Sequence, residues 1–155
     1  MSREIKSVAV IGGGTMGTGI AGLCAQRGHK VLLLDVSEEA VEKARERILN
    51  GRPPAVDEPE KADNITFGTI DADLAQIANY DWICEAVIED LETKRALFEK
   101  MEPLRREGSV ISTNTSGIPL RDVTEGLPDS LRRDIAVTHF FNPVKIMRLM
   151  ELVPG

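Results

Sequence analysis

Cysteine is scarce in this 155-residue sequence, and the two present, Cys24 and Cys84, lie far apart inside apolar stretches. Neither metal-ligand spacing nor a redox pair surrounds them, so they read as small buried hydrophobes and imply no disulfide and no metal. Basic charge is also in deficit. A formal net charge of -6 argues against a general nucleic-acid binder, which needs a cationic surface to collect phosphates. The pairs Arg105-Arg106 and Arg132-Arg133 are therefore expected to be solvated. No apolar run is long enough to cross a membrane, and because the first apolar strand begins by Ile5, a signal or transit peptide is not expected unless one has been removed. A cytoplasmic location is the expectation. Repeats and low-complexity tracts are absent too. What remains is an ordinary globular balance, 42% hydrophobic and 28% charged, in a length that suits a single domain over residues 1–155.

Strands and helices alternate along the chain. Ser7 to Ile11 is a β-branched run that ends at glycines, and Thr15 to Arg27 carries the small and apolar residues of a closely packed helix, capped by Gly28. Lys30 to Asp35 is a second strand. Ser37, followed by Glu38 and Glu39, opens a helix to about Leu49. Residues 50–63 hold four helix breakers among several acids and read as a surface connection. Further strands are expected at Ile65 to Thr69, Trp82 to Val87, Val110 to Thr113, Ile135 to Phe141 and Met147 to Val153. Asp90 caps a helix that Gly108 ends, and a short helical segment spans Leu120 to Thr124. The pattern predicts an α/β fold: a Rossmann-type, doubly wound, mostly parallel sheet with an antiparallel hairpin at its C-terminal end.

Gly12-x-Gly14-x-x-Gly17 falls at the junction of the first strand and helix. Gly12 permits the tight turn, Gly14 removes the Cβ that would hold a pyrophosphate off the backbone, and Gly17 lets the helix lie close to the sheet. The helix start, Thr15 and Met16, offers free N–H groups and a positive dipole end. A glycine motif alone is weak evidence, because tight packing turns collect glycine as well. Asp35 strengthens it. It ends the second strand 18 positions after Gly17, near the roughly 20-residue spacing at which an acid meets the adenosine ribose. A carboxylate there accepts hydrogen bonds from both ribose hydroxyls and repels the 2′-phosphate of NADP, so NAD is the expected cofactor. No arginine directly follows Asp35. The competing reading of Asp35 is a helix-capping acid, and FAD is compatible with the glycine fingerprint alone.

His139-Phe140-Phe141-Asn142-Pro143 sits in and just after the penultimate strand, with Glu151 in the last. An antiparallel hairpin centred on Lys145 sets His139 opposite Glu151. Period-two alternation puts Glu151 on the face of Met147, Leu149 and Val153, apolar company in which a carboxylate needs a partner. Such an acid holds an imidazole in one tautomer and stabilises its protonated form, which makes a positioned general base. Alone, His139 reads as a core histidine and Glu151 as a sheet-end acid; beside Asn142 and the nucleotide fingerprint, catalysis is the better reading.

In four motifs together the sequence resembles the L-3-hydroxyacyl-CoA dehydrogenase family, which includes 3-hydroxybutyryl-CoA dehydrogenases and the dehydrogenase part of fatty-acid oxidation multienzymes. They are the glycine loop from Ile11 to Ala21, Glu85-Ala86-Val87-Ile88-Glu89, Asn114-Thr115-Ser116, and His139 to Pro143 followed by Glu151. The resemblance implies NAD-dependent oxidation of a 3-hydroxyacyl-CoA thioester, with His139 as base, Glu151 as its acidic partner, and Ser116 and Asn142 beside the reacting groups. It implies that Glu89, Lys94 and Asn114 contact the cofactor. Read from the residues alone, Ser116 is a helix cap, Lys94 a solvated charge and Glu89 a loop acid. Two departures stand out. Residues 50–63 are short and proline-rich where the family has a longer helical excursion for coenzyme A, and the sequence ends at Gly155 where family members continue into a helical domain. That domain closes over the substrate and joins subunits into a homo-oligomer. The rival functions are a dehydrogenase of free hydroxy acids or sugars and a catalytically silent NAD-binding module.

Overall fold

The computed structural model describes residues 3–155. Its strands are β1 (Ser7–Ile11), β2 (Lys30–Asp35), β3 (Ile65–Thr69), β4 (Trp82–Glu85), β5 (Val110–Thr113), β6 (Ile135–Phe140) and β7 (Met150–Pro154). They form one sheet in the order β3-β2-β1-β4-β5-β6-β7. The first six run parallel and β7 pairs antiparallel with β6. The helices are α1 (Thr15–Gln26), α2 (Glu38–Asn50), α3 (Ile70–Asp73), α4 (Leu91–Met101), α5 (Leu120–Thr124) and α6 (Asp129–Asp134), with 3-10 turns at Pro59–Asn64 and Leu74–Asn79. This is the doubly wound, mostly parallel fold that the sequence predicts. No helix among the described residues is long and apolar enough to cross a membrane.

The near-continuous apolar runs of β1 and β2 follow from burial on both faces. Ala9, Ile11, Leu32 and Leu34 point into one core with Ile83, Phe98 and Met101, whereas Val8, Val10, Val31 and Leu33 point into the other with Ile20, Ala44 and Ile48. Consecutive residues thus feed opposite cores, so Val8 to Ile11 and Val31 to Leu34 have no place for a polar side chain without an uncompensated cost. Strand order reverses direction at β1, with β2 on one side and β4 on the other. The loops beyond the C-terminal ends of β1 and β4 therefore diverge and leave a crevice.

Several boundaries depart from the sequence reading. The last strand starts at Met150 rather than Met147, because Ile146 and Met147 donate their N–H groups to the Pro143 carbonyl in a turn, at 3.0 and 2.9 Å. The fourth strand stops at Glu85, since the Val87 N–H leaves the ladder to reach the Glu85 carboxylate at 2.8 Å. Helix α4 ends at Met101, before Pro103, whose ring cannot continue a helix. The helical turns at residues 70–79 and 129–134 were not expected at all.

Residues 50–63 are held firmly as a surface connection. Gln26 accepts the N–H groups of Asp57 and Glu58, Val56 is buried, and Lys145 reaches back to the Pro54 carbonyl at 3.0 Å and pairs with Asp57.

Arg105 and Arg106 are not free solvated charges. The Arg105 side chain is 4% exposed and bridges Glu102, Asp134 at 2.8 Å and the carbonyls of Ser109 and Ser130, so it ties α4 to α6. Arg106 pairs with Asp81, which also accepts the N–H groups of Lys6 and Ser7 at 2.9 and 3.2 Å. The Lys6 N–H bond is the leading influence on Asp81 and, helped by Arg106 and Ser7 against partial burial, it holds the carboxyl at about 2. A carboxyl depressed in the folded state stabilises fully above its unfolded value near 4 and gives that stabilisation up as pH falls through about 2. Urea unfolding midpoints should therefore drop between pH 4 and pH 2.5. An Asp81→Asn variant should start lower at pH 7 and decline less over that interval; parallel declines would refute the role given to Asp81.

Candidate functional site at the switch point

The turn from β1 into α1 is shaped by what glycine omits. Gly12 takes φ +110°, and a Cβ there would strike the Ala86 carbonyl; a Cβ on Gly17 would lie on the Gly12 carbonyl oxygen. Gly14 differs, because nothing lies within 4 Å of where its Cβ would be, and that open side faces the crevice. Helix α1 begins with no side-chain cap and no acid in its first turn, whereas Ser37 caps α2 and Asp90 caps α4. Its first internal bond runs from the Thr18 N–H to the Gly14 carbonyl, so the N–H groups of Thr15, Met16 and Gly17 keep no partner from their own helix. An uncapped helix end with its positive dipole in an open cradle fits a diphosphate.

The crevice has a volume of about 1250 Å³. Gly12, Gly14, Thr15 and Met16 form its floor, Asp35 stands at the β2 side, and Glu89, Asn114 and Ser116 line the β4 and β5 side. His139 and Asn142 border the same space. Ten of the residues singled out in the sequence therefore share one cleft. Gly17 sits beneath it under Gly12, Glu151 stands behind His139, and Lys94 is buried away from it.

Asp35 Oδ2 accepts the Gly13 N–H at 2.9 Å and Oδ1 accepts the Val36 N–H at 2.7 Å, so the carboxylate is locked to the glycine loop and does not cap α2. Opposite it in the loop, the Gly13 carbonyl accepts from Arg47 Nη1 at 2.9 Å. Lys43, one turn earlier on α2, lines the cleft as well. No arginine directly follows Asp35, yet folding brings two cations of α2 to its end of the cleft. Helical spacing was the available signal.

Lys94 is the largest correction to a reading from residues alone. It is 1% exposed, not solvated, and its ammonium lies 2.7 Å from Glu85 and 3.7 Å from Glu89. Glu85 is fully buried and accepts from Lys94, the Val87 N–H and Thr113 Oγ1, the last at 2.6 Å. Glu89 in turn accepts from Thr115, the Ser116 N–H and Ser116 Oγ. Partial burial acts to raise the Glu89 carboxyl, but the bonds from Thr115 and Ser116 with the Lys94 charge outweigh it and leave the group below its usual range. Ser116 is thus fixed by Glu89 and caps nothing; Pro119 precedes α5 instead. Asn114 spends its side-chain oxygen on the Phe140 N–H at 2.9 Å, which clamps the end of β5 to the segment after His139. Glu85 and Thr113 had no role assigned from the sequence. A carboxylate ending an apolar strand was their only signal.

His139 and Glu151 are directly paired in the β6–β7 register. The expected apolar surroundings of Glu151 are absent, because every residue of β7 is exposed and the Glu151 side chain is 60% accessible. Nδ1 of His139 stands 3.8 Å from Glu151 Oε2, within ion-pair reach but longer than a hydrogen bond, and the imidazole packs against the Phe141 ring.

With this geometry in hand, the comparisons with known proteins are specific. The family described as "3-hydroxyacyl-CoA dehydrogenase, NAD binding domain" matches residues 7–155. The chain belongs to this family. Its cofactor is NAD, and the glycine loop, uncapped helix and Asp35 are the parts of the structure that fit it. A 3-hydroxyadipyl-CoA dehydrogenase of Escherichia coli is 36% identical over 100% of this chain and 33% of its own length. The structure of 3-hydroxybutyryl-CoA dehydrogenase from Escherichia coli superposes with TM-score 0.84 at 34% identity, covering 97% of this chain and 32% of that one. A diketoreductase described as acting on dicarbonyl compounds superposes with TM-score 0.83 at 26% identity, covering 97% of this chain and 55% of that one. The chain spans between 22% and 53% of the length of the curated relatives it matches.

The buried Glu85–Lys94 pair carries its own test. Lys94→Met leaves a fully buried carboxylate without its cation, and should cost about 3–5 kcal/mol in urea unfolding. Adding Glu85→Gln to that variant should restore part of the loss. Strictly additive losses would show that the two groups do not depend on each other.

Proposed function

We propose that this chain is the nucleotide-binding part of an NAD-dependent dehydrogenase that interconverts (S)-3-hydroxyacyl-CoA and 3-ketoacyl-CoA thioesters, as in fatty-acid β-oxidation or short-chain hydroxyacyl-CoA metabolism. The observation that carries the reading is the His139–Glu151 pairing on the wall of the same cleft whose floor is the glycine loop. NAD, when bound, supplies the hydride acceptor for oxidation and the donor for reduction.

In oxidation His139 takes the proton of the 3-hydroxyl, and in reduction its protonated form returns it. Glu151 orients the imidazole through Nδ1, leaving Nε2 for the substrate. Ser116, fixed by the bond its hydroxyl donates to Glu89, stands beside the reacting groups and helps to position them, while the single proton of the substrate hydroxyl goes to His139. Asn142, exposed at the cleft rim, adds a second polar contact to the reacting groups. Asp35 holds the adenosine ribose hydroxyls; Glu89, Lys94 and Asn114 support the nicotinamide side, Lys94 by fixing Glu89 in place. Further segments of the kind that lengthen the relatives supply the remaining wall: a helical part that covers the substrate and pairs subunits.

Reduction of free keto acids is the alternative, favoured by the likeness to a diketoreductase. The two separate in one assay, NADH oxidation with acetoacetyl-CoA beside free acetoacetate. Preference for the thioester supports the proposal, and equal or better turnover of the free acid replaces it with the alternative. His139→Ala should lower kcat by roughly 10²–10⁴-fold while NADH affinity changes little, because the imidazole acts on the proton and not on the nucleotide. Undiminished turnover in that variant would eliminate the mechanism.

A further inference from the structure

Asp35 shares its end of the cleft with one further acid, Asp71, and with two cations of α2. It shares Gly13 with Arg47: the carboxylate takes the Gly13 N–H at 2.9 Å and the guanidinium binds the Gly13 carbonyl at 2.9 Å, so the two side chains flank a single residue. Arg47 forms no ion pair among the described residues and spends one donor on Gly13, which leaves the rest of its fork free. Lys43 stands one helical turn away on the same wall, held only by an exposed pair with Glu39 at 2.9 Å, both side chains more than 60% accessible. An exposed pair of this kind is worth at most about 1 kcal/mol and yields readily to a dianion. The acid facing them across the cleft is Asp71, on α3.

We infer that Arg47 and Lys43 form a latent site for a phosphate monoester, the 2′-phosphate of NADPH, and that Asp35 keeps it closed. The inference rests on the ribose role given to Asp35. In dinucleotide folds the acid at this place and a nearby arginine are the alternative solutions for a ribose hydroxyl and a ribose phosphate. This chain carries both. Arg47 offers a planar fork suited to phosphate oxygens and Lys43 a mobile point charge. While Asp35 is ionised, its charge and its grip on the Gly13 N–H exclude a second anion from the space between them. Arg47 then serves the loop, by neutralising part of the Asp35 charge and holding the Gly13 carbonyl. Removal of that one carboxylate should convert the pair of cations from loop support into a phosphate clamp, without any new basic residue.

The test is direct binding of NADH and NADPH, followed by nucleotide fluorescence, to this chain and to Asp35→Ser, Asp35→Asn, Arg47→Ala and the double variant Asp35→Ser/Arg47→Ala. The unmodified chain should prefer NADH by about tenfold or more. Asp35→Ser should raise NADPH affinity about tenfold or more and lower that for NADH, which reverses the preference. The double variant should lose most of the NADPH gain, and Arg47→Ala with Asp35 intact should leave the preference for NADH in place. Asp35→Asn keeps an acceptor for the Gly13 N–H, so it carries the same comparison if the serine variant fails to fold. A gain in NADPH affinity that survives Arg47→Ala would overturn the latent site, as would no gain in either Asp35 variant that still binds NADH. No NADH binding by the unmodified chain would instead strike at the cofactor role of Asp35, and the inference would fall with it.

Discussion

The approach of Gly12 to its neighbours is the constraint on which the cleft depends. Its missing Cβ lets the turn pass against the Ala86 carbonyl at the end of β4, and its carbonyl oxygen occupies the space that Gly17 leaves on α1. Its N–H also bonds the Leu34 carbonyl at 2.7 Å, so one residue joins the ends of β2 and β4 to the start of α1. That junction is where strand order reverses, and its tightness sets the depth of the crevice. With a side chain at Gly12 or Gly17 the helix would have to move off the sheet. The uncapped N–H groups of Thr15 and Met16 would then no longer face the floor of the cleft.

Electrostatics on the β4 side is arranged in a chain of dependence. Glu85, fully buried, is tolerable only because three donors meet it, and Lys94 is tolerable only because two carboxylates do. Lys94 passes part of its charge to Glu89 at the cleft edge, and Glu89 fixes Ser116 through both the N–H and the hydroxyl. The interior ion pair thus determines where a serine oxygen points several residues away. Apolar residues of similar volume at positions 85 and 94 would pack as well, but would take the Lys94 charge away from Glu89 and leave it held by Thr115 and Ser116 alone. This explains why a costly arrangement sits at this place in the core and not elsewhere.

The parts of the fold legible in the sequence are those with a strong local period or a residue of special conformation. Strands β2, β3 and β5 end where their apolar runs end, and the facing of His139 and Glu151 follows from the two-residue period of strands about a turn near Lys145. Charges were the least legible. Arg105 looks like any surface arginine until Asp134, on a helix with no clear signal, closes over it, and Lys94 looks exposed until Glu85 is seen to be buried beneath it. Glu151 errs in the opposite direction. Its apolar neighbours Met147, Leu149 and Val153 suggested a covered face, but β7 is the sheet edge and all of them are exposed. Hydrophobic pattern reports what a segment can bury, and only tertiary placement decides what it does bury.

That exposed edge bears on how strongly His139 and Glu151 interact. At 3.8 Å and 60% accessibility for Glu151, the attraction between a protonated His139 and the carboxylate is only about 1 kcal/mol in a water-like medium. The same separation with water excluded is worth several times more, at an effective dielectric near 20. The apolar residues beside Glu151 therefore do more than await a partner surface. Any cover that buries Val153, on the same face of β7 as Glu151, also removes solvent from the carboxylate and strengthens its attraction for a protonated imidazole. In the proposed reaction, enclosure of the substrate and a tighter His139–Glu151 pairing would be one event, because the strand that carries the acid is also the edge to be covered. The nucleotide end is organised differently: its donors are backbone N–H groups of a rigid turn, and its carboxylate is already bound to the loop. The fold thus separates a preformed cofactor cradle from a His139–Glu151 pairing whose strength depends on what covers β7.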